Sequence, residues 1–189
     1  MVKKTITVVL FVAMVCLDGF NAQSQDANPQ AKTMNQAAVA RMAAGCGPND
    51  IQFEVKTDKK QHPQAQPNEG KAIIYVFSEA SPATLTMRTG MDGKWVEASY
   101  SGSYFFFTAG PGEHRLCMDK QSSGNNLSNQ GAAITFTAEA GMIYYFTAEL
   151  LDDVARPKMK FKRLDSAEGL FMLSSFSFSS SHVKPADVD

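Results

Sequence analysis

Apolar and polar positions change rhythm several times along the chain, and each rhythm predicts a different element. Ile6 to Leu17 is apolar except for Thr7, and Lys3 and Lys4 precede it. From Asn21 to Thr33 there is no apolar period, the pattern of a linker. Ala37, Ala38, Ala40, Met42, Ala43 and Ala44 follow Asn35, a plausible N-cap, and Gly45 is suited to close the turn, so a short helix is expected there. Ile51 to Lys56 then alternates in the period of a half-buried strand. Thr57 to Gly70 loses periodicity again, carries Pro63 and Pro67, and reads as a second linker.

After Gly70 short β-branched and aromatic runs alternate with turn residues. Strands are expected over Lys71–Ser78, Ala83–Thr89, Trp95–Ser99, Tyr104–Thr108, His114–Met118, Ala132–Ala138, Met142–Leu150 and Met159–Leu164. Asp92-Gly93 is a hairpin signal, because both central positions of a type I′ turn need positive φ. Strands at this spacing with no helices between them predict a mainly β fold, an Ig-like antiparallel β-sandwich of about seven or eight strands. Ser166 to Leu173 is expected to close it as a short helix, and the Ser-Phe alternation of Ser174–Ser181 to be an edge strand or a disordered tail. The resulting division is a signal peptide over 1–22, a linker over 23–34, a helix-and-strand lead over 35–56, a linker over 57–70, the sandwich over 71–164, and a short helix and flexible tail over 165–189.

The basic start and short apolar run of the amino terminus describe a secretory signal, cut between residues 22 and 24. The run is too short to cross a hydrocarbon core of about 30 Å, so no transmembrane segment is expected in the mature chain. Val15 stands directly before Cys16, where a lipobox has a small residue, which argues against lipid anchoring at Cys16. Export to the periplasm or beyond leaves Cys46 and Cys117 in an oxidising space. A bridge between them is the preferred reading, with two buried thiols as the alternative. The formal charge of -1 provides no cationic field for a phosphate backbone, which removes nucleic acid as a partner.

No catalytic constellation emerges. His62 precedes a proline in a linker, His182 sits in the tail, and His114 is read as a rim residue steadying the Gly110–Gly112 turn. Asp152 and Asp153 lack the ligand series of a calcium loop, and no cofactor or metal motif occurs. The aromatics are the open question, because consecutive Phe105, Phe106 and Phe107 must face both sides of a strand. Either the helices or the tail cover the second side, or Trp95, Tyr100, Tyr104 and Phe106 form a binding surface.

The order Cys46-Gly47-Pro48, Asp92-Gly93 with Trp95-Val96, Ser103-Tyr104-Phe105-Phe106-Phe107 and Pro111-Gly112-Glu113-His114 resembles a secreted bacterial family of domains of unknown function. That resemblance implies an exported Ig-like sandwich with no assigned activity, and by analogy it supports the Cys46–Cys117 pairing. The functional expectation is a non-enzymatic envelope module whose partner is an envelope protein or a surface polysaccharide. The alternative is a carbohydrate-binding module using exposed aromatics. A hydrolase of unfamiliar type stands behind both.

Overall fold

Alternating and fully apolar runs both become strands, and which kind a run becomes follows from its place in the sheet. The computed structural model describes residues 46–48, 50–79, 85–121, 131–151 and 158–185. In chain order the strands are β1 (Phe53–Asp58), β2 (Ala72–Ser78), β3 (Thr86–Met91), β4 (Lys94–Tyr100), β5 (Ser103–Ala109), β6 (Gly112–Lys120), β7 (Ala132–Ala138), β8 (Ile143–Leu151), β9 (Lys158–Leu164) and β10 (Ser177–Val183). Among the described residues one helix, α1 (Ser166–Ser175), precedes β10. The helix expected at residues 35–44, the signal segment and Asp152–Asp153 lie outside the described residues.

The strands form a six-stranded sheet, ordered β1-β10-β5-β2-β8-β9, and a four-stranded sheet, ordered β4-β3-β6-β7. The protein is thus a mainly β sandwich, as the strand rhythm predicts. Two pairings, β2 with β8 and β10 with β5, run parallel rather than antiparallel. The sheet is also wider than residues 71–164 supply. β1 pairs over its whole length with Phe178–Val183 of β10, so the expected lead and tail are structural strands. β10 lies inside the sheet between β1 and β5, not at an edge.

Central β2 is buried at every position because both faces of its sheet are covered. Ile74, Val76, Phe105, Phe146 and Phe161 meet Met87, Leu116, Met118 and Phe136 of the four-stranded sheet in the inner core. On the outer face Ile73, Tyr75, Phe77, Tyr104 and Tyr145 form a second core beneath Leu173 and Met172 of α1, with Phe176 and Phe178 beside them. A third, smaller cluster joins Phe53 and Val55 of β1 to Ala98 of β4.

The segment after β1 is a strap, not a free linker. The Ala65 amide donates to the Tyr75 hydroxyl at 2.7 Å, the Tyr104 hydroxyl donates to the Pro63 carbonyl at 3.4 Å, and His62 Nδ1 meets the Leu173 carbonyl at 2.9 Å. Anchorage through backbone atoms has no hydrophobic period, which is why the sequence pattern fades there.

Asp165 caps α1 in a reciprocal box with Glu168. Gly169 faces the sheet, and a Cβ there would run into the Tyr145 ring. Gly169→Ala is therefore expected to push the helix outward and cost about 1–3 kcal/mol, the range for overpacking, read as a lower denaturation midpoint.

Candidate functional site

The expected aromatic surface is not one surface. Tyr104 is 0% exposed in the outer core, and burial followed by the neighbouring Tyr75 pushes its phenol up to about 12. Phe106 packs on Tyr75 and Phe178 in that same core. The strand alternation settles the Phe105–Phe107 question: Phe105 and Phe107 turn to the inner core, Tyr104 and Phe106 to the outer one, and α1 with β10 provides the cover. Tyr104 is closed off beneath the strap, while half-buried Phe106 has its ring committed to Tyr75 and to Phe178 of β10.

Trp95 is also occupied. Its Nε1 donates to the Pro48 carbonyl at 2.7 Å, and the Arg88 guanidinium stands 4.3 Å from its ring centroid. Arg88, 4% exposed, also donates to the Ile51 carbonyl at 2.7 Å and faces Asp119 at 3.6 Å. This network fixes the segment that carries Cys46, which is bonded to Cys117 with Cα atoms 5.6 Å apart. Trp95 therefore supports the bridge instead of presenting a stacking face.

The histidines separate by their partners. His114 is held at both ring nitrogens, Nδ1 by Asp92 at 2.7 Å and Nε2 by the Gly110 carbonyl at 2.8 Å, so it steadies the turn and offers no free nitrogen as a base. Asp92 adopts positive φ, as the hairpin signal requires, and its other carboxylate oxygen accepts from the Arg115 amide. His182 pairs across strands with Glu54 at 3.5 Å.

His62 differs, because it lines a groove. Three chain-distant segments meet there: the end of β1 with the start of the strap, the β4–β5 turn around Gly102, and the α1–β10 junction. Ser177 donates its amide to the Gly102 carbonyl at 3.1 Å, and Gly102 donates to the Ser78 carbonyl at 2.8 Å, so the floor is tied to β2. Gly102 has a φ of 72°, which the tight turn between β4 and β5 demands. The groove encloses about 550 Å³, and Lys59, His62, Tyr100, Ser101, Ser174 and Ser177 supply its chemistry. Of the expected surface residues only Tyr100 reaches it. His62 and the serines after α1 were the signals available in the sequence, but nothing local shows that the strap brings them together.

Serines have a second use on β10. Ser181 accepts from the Ala98 amide at 2.9 Å and donates to Glu97 Oε1, which stitches β10 to β4 through side chains. Burial, opposed by the hydrogen bonds from Ser181 and Ala98, holds the Glu97 carboxyl above the usual carboxylate range. A raised carboxyl keeps its proton longer in the folded chain than in the unfolded one. Its stabilising contribution is therefore present below the unfolded value of about 4.3 and is lost as pH rises through the folded value. Glu97→Gln is expected to reduce that decline in stability above about pH 4 without lowering stability at neutral pH, as urea denaturation across pH would show. Asp119, raised by burial against the pull of Arg88, gives a residual slope of the same sign.

Among the described residues no three of His, Cys, Asp and Glu gather as metal ligands, and no helix is long and apolar enough to cross a membrane. Comparison with protein-family models and with curated proteins finds no match for this chain.

Proposed function

We infer that the protein is an exported, non-enzymatic β-sandwich module of the bacterial envelope that binds a partner through the polar groove at the strap. The groove itself carries this reading: a concavity built by three separate segments, with polar side chains and a cation facing one volume, is the form of a binding site. The disulfide, the signal-like amino terminus and the resemblance to a secreted bacterial family support export. Catalysis finds little support in the same volume. A histidine base needs a carboxylate or similar group to orient it and a nucleophile to activate, and His62 has a backbone carbonyl on Nδ1 with no acidic residue among the described residues that line the groove.

The discriminating experiment is turnover by the purified chain on a broad panel of ester, glycoside and peptide substrates. The expected result is no turnover. Activity that disappears in His62→Ala would replace this reading with a hydrolase.

A further inference from the structure

We propose that the groove at the strap takes an acidic carbohydrate, a hydroxyl-rich sugar carrying a carboxylate or phosphate; this rests on the binding reading above. Three observations lead there. First, Lys59 lines the groove and, among the described residues, has no carboxylate partner and shares the lining with no Asp or Glu. An unpaired ammonium facing a concave volume free of carboxylates favours an anionic group.

Second, the hydroxyls divide by role. Ser174 and Ser175 both give their hydrogens to the Phe171 carbonyl, at 2.7 and 3.1 Å, so toward a ligand their oxygens act as acceptors. The hydroxyls of Thr57, Tyr100, Ser101 and Ser177 bond no described residue and remain able to donate. Ser103 likewise gives its hydrogen to the Tyr100 carbonyl at 2.7 Å, so committed acceptors and hydroxyls able to donate stand side by side in the groove. A bare anion has only acceptors and would leave the committed serine oxygens unused, whereas a sugar acid satisfies both.

Third, His62 is oriented in advance. The Leu173 carbonyl can only accept, so Nδ1 donates to it and Nε2 is left uncommitted among the described residues. Lys59 and His62 stand on the same strap, held by the contacts to Tyr75 and Tyr104, so a ligand meets a site that needs little ordering.

The test is amide-resolved NMR titration of the purified chain with a uronic-acid tetrasaccharide, its carboxyl-reduced neutral form, a sugar phosphate and inorganic phosphate. The uronic-acid form is expected to shift Lys59, His62, Ser101 and Ser177, and Lys59→Gln to weaken it about tenfold, the effect of removing one charge-assisted hydrogen bond. An equal response to the sugar phosphate supports the same class and widens it to phosphate. Lys59 is exposed, so the variant should keep its thermal midpoint, which a parallel melt verifies. Equal binding of the neutral form, an unchanged affinity in Lys59→Gln, or binding of inorganic phosphate as tight as that of the sugar acid would each overturn the proposal while leaving a binding groove. Absence of any shift at the groove with every sugar would overturn it as well, and only turnover on the substrate panel would then remove the module reading.

Discussion

Replacing both Cys46 and Cys117 with alanine is expected to lower the unfolding free energy by about 4 kcal/mol, the chain-entropy value for a loop of this length. The bonded residues are 71 apart in sequence, and the loop between them contains β1 through β5 and most of β6. Without the bond the unfolded chain regains that freedom, while the folded chain keeps its sheets. Urea denaturation of the oxidised protein, the reduced protein and the double variant measures the difference, and superimposed curves would defeat the expectation. A second variant locates the effect. Gly90 lies opposite Cys117 in the β3–β6 ladder, and a Cβ on it would run into the Cys46 carbonyl. Gly90→Ala should therefore destabilise the oxidised chain by about 1–3 kcal/mol, the overpacking range, and do less damage once Cys46 is untethered.

Tyr104→Ala is expected to cost about 3–5 kcal/mol, the range for removing a large buried ring. The ring lies against Tyr75, Phe77 and Phe178 in the core under α1. Tyr104→Phe keeps the ring and removes only a hydroxyl whose bond to the strap is long, so its cost should be about 1 kcal/mol or less. The pair separates two roles that share the same residue. A stacking platform for a ligand would lose affinity in Tyr104→Ala with its melting temperature intact; a core residue loses stability first. Thermal melts of both variants provide the answer, and an unchanged midpoint in Tyr104→Ala would return the ring to the surface.

Much of the architecture is legible along the chain because the signals are local. The Asp92-Gly93 turn, the alternation in β1 and β7, and the apolar run of β2 each identify a strand or turn through a handful of neighbouring residues. The closing helix over Ser166–Leu173 was readable as well, and the structure adds its cap at Asp165 and the buried face of Gly169 and Leu173. The Ser-Phe alternation after it was readable as a strand but not as an inner one. A period of two reports two different faces and is silent about which neighbours the strand has. Here Phe178 joins the outer core, while Ser179 and Ser181 reach across to β4.

The candidate site was the least legible part. Aromatic residues drew attention because large rings on one short stretch are conspicuous, yet Tyr104 and Phe106 are core and Trp95 holds the Cys46 segment. Lys59 and His62 were inconspicuous because they stand in a stretch without periodicity, and of the serines that share their groove Ser174, Ser175 and Ser177 lie more than a hundred residues away in sequence.

By itself the sequence determined the mainly β class and the places where most strands start and turn, and it favoured a bridge between Cys46 and Cys117 over two buried thiols, a choice that the structure decides by bonding them. Those follow from backbone φ preferences, side-chain periodicity and cysteine count, all of which act over a few residues or on composition. The tertiary structure alone decided that the lead and the tail are partners in one sheet, that the polar strap lies over the outer face, and that a groove opens beneath it. These depend on hydrogen bonds between groups far apart in the chain, such as Ala65 to Tyr75 and His62 to Leu173, and each of those atoms is ordinary until the fold brings its partner within about 3 Å.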